Sequence, residues 1–152
     1  CLKLSTFEED LNINFLSMVK SLQKVINNLK KSGNASVVLF STVAVKVGMP
    51  FHTSVSASKG AIEGFARSLA AEYAPLLRVN VIAPSLTDTP MAQRFLNNDL
   101  KKEKVGDKHP LKRHGNANDI ANSVVHLLSD NSSWITGQTF GVDGGMSSIN
   151  LS

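Results

Sequence analysis

Residues 36–73 read SVVLFSTVAVKVGMPFHTSVSASKGAIEGFARSLAAEY, and this stretch decides the fold. It opens on an apolar, largely β-branched run, Val37-Val38-Leu39-Phe40. A short apolar run bounded by polar residues is the pattern of a strand covered on both faces of a parallel sheet. A loop with Gly48 and Pro50 follows, then a helix from Ser54 to Tyr73 that Pro75 stops. That helix is predicted to bury Ile62, Phe65, Leu69 and Tyr73, while small residues such as Ala57, Gly60 and Gly64 let a sheet or a second helix come close. Thr42, His52 and Lys59 bring a hydroxyl, an imidazole and an ammonium to the junction between strand and helix. Open α/β sheets place their chemistry at such junctions.

Working outward, the N-terminal segment carries Leu11, Phe15, Met18, Val19, Leu22, Val25, Ile26 and Leu29 at steps of three and four, one apolar helical stripe. Ser5 or Thr6 is the expected cap, Glu8-Glu9-Asp10 suit the positive end of the dipole, and Gly33 is the expected terminator. Asn14 lies beside that stripe. It is either a surface residue of the helix or a polar group that needs a partner. Downstream, Arg78 to Ala83 reads as a second strand ending at Pro84, followed by a polar turn through Pro90. Residues 91–104 read as a weak helix or a flap over a site. Asn116 is the expected cap of a third helix burying Ile120, Val124, Leu127 and Leu128. Thr139 to Val142 is the third strand, closed by Asp143-Gly144-Gly145. Helix and strand alternate throughout, so the fold class is α/β with a parallel sheet. Three strands make a narrow, partial, doubly wound sheet. No Gly-rich phosphate loop occurs in the 152 residues, so a pyrophosphate site is expected elsewhere.

The totals bound the function. A length of 152 residues fits one domain. A hydrophobic share of 42% and a charged share of 18% exclude a disordered or fibrous chain. No apolar run reaches the roughly 18 residues of a membrane span, so no membrane partner is expected. One cysteine excludes an internal disulfide, which fits a cytoplasmic setting. The four histidines show no metal-ligand spacing, and no metal site is expected. Net charge is +4, with a local run at Lys101, Lys102, Lys104, Lys108, Lys112 and Arg113. That run either draws an anionic ligand or forms a solvated loop. Without interleaved aromatic residues it does not suggest nucleic acid.

Four blocks now line up with a known family. SVSASKGAIEGFARSLAAEYAP, RVNVIAPSLTDTPM and HPLKRHGNANDIANSVVHLLSDNSSWITGQTFGVDGG follow in order after the Asn14 helix. The chain resembles the short-chain dehydrogenases/reductases from about Leu11 to Met146. The family's tetrad is an Asn, a Ser, and a Tyr four residues before a catalytic Lys; Asn14, Thr42, Val55 and Lys59 stand at the corresponding positions. Thr42 keeps the hydroxyl. Val55 replaces the phenol that gives its proton to the substrate oxygen, and valine has no proton to give. Ser85 stands where a Gly is usual.

The resemblance implies a Rossmann-like fold of which residues 1–152 are the C-terminal portion. It implies NAD or NADP as cofactor and a small-molecule substrate undergoing carbonyl reduction or alcohol oxidation. Lys59 then holds the nicotinamide ribose, Asn14 a proton-relay water, and Thr42 the substrate carbonyl. Pro84, Leu86, Thr87 and Thr89 form the loop against the cofactor. His52, one turn before Val55, or a water held by Lys59 and Thr42, is the expected substitute acid. A catalytically silent relative that binds a nucleotide or another subunit is the alternative, favoured by Val55. The resemblance further implies a homo-oligomer through helices 11–30 and 54–73. The inner edge of the first strand, Val37–Phe40, is expected to lack a partner within this chain.

Overall fold

The computed structural model describes residues 2–150. In chain order the elements are α1 (Leu4–Asp10), a π-helical segment (Leu11–Leu16), α2 (Ser17–Ser32), β1 (Ala35–Phe40), α3 (Ala44–Val47), α4 (Thr53–Tyr73), β2 (Leu77–Pro84), β3 (Thr87–Asp88), α5 (Gln93–Leu96), α6 (Asp99–Asp107), β4 (Gly115–Asn116), α7 (Ala117–Leu128) and β5 (Thr139–Val142). The first three run on as one helix, because the residues at both junctions keep right-handed helical angles.

The three expected strands form one parallel sheet in the order β1-β2-β5. Ala35 pairs with Leu77 and the register runs to Phe40 with Ile82. Val81 pairs with Thr139 and Pro84 with Val142. β2 lies in the middle, and every residue from Leu77 to Ala83 is buried. Its alternation sorts two different interiors. Leu77, Val79 and Val81 join Leu39, Ile62 and Leu69 in the main apolar core, against which Phe15, Leu22 and Ile26 of the first helix also pack. Each such side chain contributes about 1.5–3 kcal/mol by leaving water. Phe15 and Phe65 meet edge to face, 5.7 Å apart and at 83°, which ties the first helix to α4.

The other face of β2 carries two polar residues beside the buried Ile82, and all their buried polar atoms but Arg78 Nε are bonded. Arg78 donates to the carbonyls of Leu127, Ser129 and Ser132, at the end of α7 and just beyond it. Asn80 donates to Ile135 O and accepts from Gln138 N. The RVN stretch is thus a buried clamp that fixes the α7-to-β5 connection, because a buried polar group without a partner costs about 1–3 kcal/mol.

Among the described residues β1 pairs only with β2, so its other edge lacks a strand, as the sequence predicts. Phe40, at its end, is 44% exposed. Several expectations are corrected. Ser5 and Thr6 lie inside α1; its N-cap is Lys3, whose side chain makes no capping bond. Val25 and Leu128 are exposed rather than buried, since each lies at the margin of its helix stripe, away from the sheet. Residues 91–104 form two short helices rather than one weak one. Asn116 caps α7 as expected, in a reciprocal capping box with Asp119. Gly33 ends α2 with φ of 73°, a left-handed conformation that glycine adopts without steric cost. No described helix is long and apolar enough to cross a membrane.

Candidate active site

Beyond the C-terminal ends of β1 and β2 the backbone opens a cavity of about 780 Å³, within the range of small-molecule sites. This is where an open α/β sheet binds its ligand. Thr42 enters from the β1 side. Its Oγ1 accepts from Ala44 N at 3.3 Å and starts α3, which leaves the hydroxyl proton available to a ligand. The strand ends are stitched together by Ser41 N to Ile82 O at 2.8 Å and Val43 N to Pro84 O at 3.0 Å. Thr42 therefore projects from a rigid support.

α4 contributes Val55 to the cavity wall, and His52, its N-cap, stands at the rim. His52 Nδ1 lies 2.7 Å from Pro50 O. A carbonyl only accepts, so Nδ1 carries a proton and the neutral ring offers Nε2 as an acceptor. Lys59 lies one turn beyond Val55 and does not line the cavity. Its Nζ donates to Phe40 O at 3.1 Å, at the very end of β1. Burial lowers its pKa below the usual lysine value by penalising the charged form.

Asn14 also lies behind the wall. Its Nδ2 donates to Ser58 Oγ at 3.3 Å, and Ser58 Oγ donates to Val55 O at 2.9 Å. Ser58 is wholly buried. A polar chain thus runs from the first helix to the backbone of the Val55 turn. Asn14 sits in the π-helical segment, a rare local widening that often marks functional positions. Of the two readings of Asn14, the structure therefore shows the partnered one.

Pro84, Leu86, Thr87 and Thr89 all line the cavity. Thr87 Oγ1 donates to Ser85 O and Thr89 Oγ1 to Thr87 O, so both hydroxyls also shape the turn. β3 and β4 pair over two residues and hold this loop against the start of α7. The structure brings Thr42, His52, Val55 and the post-β2 loop together, with Asn14 and Lys59 as the layer behind.

Sequence reasoning missed Ser85 and His109 as a pair. His109 is 3% exposed. Its Nδ1 lies 2.8 Å from Val105 O and its Nε2 2.7 Å from Ser85 Oγ. Nδ1 must carry the proton to meet a carbonyl, so in the neutral ring Ser85 donates to Nε2. The bridge pins the end of α6 to the loop after β2. The Gly144–Gly145 turn closes against it from the far side, with Leu111 N donating to Gly144 O. Ser85 standing where the family pattern has Gly is the one signal in the sequence that could have exposed this contact.

A family model described as enoyl-(acyl carrier protein) reductase, a branch of the short-chain dehydrogenases/reductases, matches residues 2–147. The chain belongs to the short-chain dehydrogenase/reductase family. A glucose 1-dehydrogenase of Gluconobacter oxydans is 33% identical over 147 residues, covering 95% of this chain and 55% of the relative. An inactive 2-(S)-hydroxypropyl-CoM dehydrogenase 2 of Xanthobacter autotrophicus is 31% identical over 152 residues, covering 97% and 66%. Among solved structures, the ligand-free aldohexose dehydrogenase of Thermoplasma acidophilum superposes with a TM-score of 0.91 at 28% identity, over 99% of this chain and 63% of that one. The three-stranded parallel sheet and its flanking helices are thus the family's Rossmann-like fold. The chain spans roughly half to two thirds of the length of these relatives.

Proposed function

We propose that residues 1–152 form the C-terminal, substrate-side portion of a single Rossmann-like domain in an NAD(P)-dependent short-chain oxidoreductase. It reduces a carbonyl or oxidises an alcohol, and its proton donor is not a tyrosine. One observation carries this reading: Thr42, His52, Val55 and the Pro84–Thr89 loop surround a single cavity, with the Lys59 ammonium at the adjoining strand end.

The residues present fit a nicotinamide dinucleotide. Lys59 Nζ has one protein acceptor, and an ammonium has three protons, so two remain for ribose hydroxyls. Pro84, Leu86, Thr87 and Thr89 offer a mixed apolar and hydroxyl wall for the ring and its amide. When bound, the cofactor supplies or removes the hydride. Thr42 donates its free proton as a hydrogen bond to the substrate oxygen. Asn14 and Ser58 hold the Val55 turn in place. His52 takes a proton on Nε2 and delivers it from the rim, in the role that the phenol fills elsewhere in the family; a water held by Lys59 and Thr42 is the competing source. His52→Ala leaving turnover intact removes the imidazole from this role.

The decisive test is calorimetry of NAD and NADP on the full-length protein, followed by turnover of Val55→Tyr. Binding with turnover in the parent protein supports the proposal. Binding without turnover, restored by the tyrosine, identifies a retired enzyme instead. Val55 itself favours that second reading of a catalytically silent member, and the Xanthobacter relative is named as inactive.

The same proposal extends to assembly. The helices over 11–30 and 54–73 pair with their copies across a two-fold axis. Ile13 and Leu16, apolar yet 62% and 41% exposed, support this contact. Sedimentation showing a monomer of full thermal stability would remove it.

A further inference from the structure

The basic run of residues 101–113 divides in space. Lys101, Lys104 and Lys108 line the main cavity together with Arg94 from α5. Lys102 and Lys112 do not line it, and Arg113 is taken up by Asp119 at 2.7 Å. The division follows from helical geometry: at about 100° per residue, positions 101, 104 and 108 fall on one side of α6 and its C-cap. Asp99, Glu103 and Asp107 gather about 130° away on the same cylinder. α6 is therefore a helix with its charges sorted by sign, and the Ser85–His109 bridge fixes which side meets the cavity.

The sorting leaves the cavity with one sign of charge. Its lining holds four permanent cationic side chains, two histidines, and no aspartate or glutamate. Among the described residues, none of the four cations has a carboxylate within 4 Å; the Arg113–Asp119 pair is the one ion pair there. The Lys101 ammonium reaches only the Arg94 carbonyl, at 3.4 Å, and the Arg94 guanidinium lies over the Phe95 ring at 4.6 Å. The remaining wall is mostly apolar, with Met49, Val55, Leu86, Met91, Val105 and Met146, and its other polar groups are uncharged hydroxyls. Like charges gathered around an apolar hollow cost free energy until an opposite charge enters.

We propose that this cavity takes an amphipathic anion. The substrate has an apolar body that lies along the Val55–Leu86–Val105 wall and a carboxylate or phosphoryl group that is seated among Arg94, Lys101, Lys104 and Lys108. The assignment rests on the cavity being the substrate site of the proposed oxidoreductase, and it narrows that site to a substrate class. The cations come from α5, α6 and its C-cap in the flap, whereas Thr42 comes from the end of β1. The anionic group and the reacting oxygen are therefore recognised by different elements.

The test is equilibrium binding to the purified protein without cofactor, using four probes with the same ten-carbon chain below their micelle concentrations. These are decanoate, decyl phosphate, 1-decanol and decyltrimethylammonium. One or both anions should bind about tenfold or more tightly than the alcohol, and the cation should not bind measurably. The ratio of the two anions tells carboxylate from phosphoryl recognition, and either ratio supports the proposal. The anion preference should fall steadily from 50 to 500 mM NaCl, since the head groups meet solvent at the rim. Lys101→Glu with Lys104→Glu should erase it and leave decanol affinity unchanged. Lys3→Glu, an equal charge change per site on an exposed residue at the start of α1, should leave it intact.

Equal binding of anions and alcohol overturns the proposal, and so does an equal loss of preference in Lys3→Glu. Because no cofactor is present, the result stands apart from the calorimetry above. Retained anion preference with no NAD or NADP binding upholds the amphipathic-anion site itself while removing the oxidoreductase reading.

Discussion

From Leu77 to Ala83 every residue is buried, whereas from Met91 to Lys108 only Ala92, Leu96 and Gly106 are. β2 reaches the cavity through its last residue, Pro84, and the flap walls it directly; the two are held by different means. β2 has a strand on each side, an apolar core beneath it and the Arg78 and Asn80 clamps above. The flap has two short helices, the Asn98 side-chain cap on Lys101 N, and the Ser85–His109 bridge. A rigid floor and a lightly held roof suit a site that must keep reacting groups fixed while admitting ligands. Local opening free energies follow the density of buried contacts, so the two walls are expected to open on different scales.

The comparison can be broken most forcefully at the floor. Leu77→Ala should lower global stability by about 2–5 kcal/mol, through lost transfer energy and the cavity left behind. Urea denaturation followed by far-UV circular dichroism measures it, and a loss below about 1 kcal/mol would mean that β2 is not the keystone. At the roof, Ser85→Ala strands His109 Nε2 and should cost about 1–3 kcal/mol locally. The readout is hydrogen exchange: amides of residues 99–107 should exchange faster while those of 77–83 stay protected. Equal acceleration in both would merge the two regions into one cooperative unit.

Smaller still is the helix beside the roof. Asn116→Ala removes the side chain that accepts from Asp119 N, and should cost about 0.5–2 kcal/mol in thermal denaturation. The smallest effect is a titration. The Arg113 guanidinium, helped by the Asn116 backbone N–H, lowers the Asp119 pKa from 3.8 to about 2. A carboxylate depressed on folding stabilises above its unfolded pKa, and that contribution is lost as pH falls from about 4 toward 2. Asp119→Asn should therefore flatten the stability profile across that window and leave its shape near pH 7 unchanged. An unaltered acid limb would show that the pair is screened to insignificance.

The sheet was legible because its signals are local. Runs such as Val37–Phe40 and Thr139–Val142 carry strand character by themselves, and each appears within two residues of its expected place. The Asn14, Thr42, Val55 and Lys59 constellation was reachable only through the family pattern, since nothing in the spacing alone joins Asn14 to Ser58. The roof was the hardest part. Its short helices are weak by composition, and the cavity-facing charges separate from the others only once α6 is fixed in rotation. Ser85 and His109, 24 positions apart, do that fixing. The pattern of 101, 104 and 108 against 99, 103 and 107 was present in the sequence throughout, but it has a direction only when the cavity exists.

The π-helical segment around Asn14 carries one further consequence, for lineages that gain or lose residues. A π turn holds one residue more than an α-helix needs, so removing a residue N-terminal to Asn14, such as Asn12, would restore an unbroken α ladder and yield a more regular helix. The same deletion would rotate the whole of α1 by about 100° against α4. A length change that looks neutral in an exposed helix would therefore trade regularity for aim. Insertions and deletions should be rejected between Leu11 and Leu16.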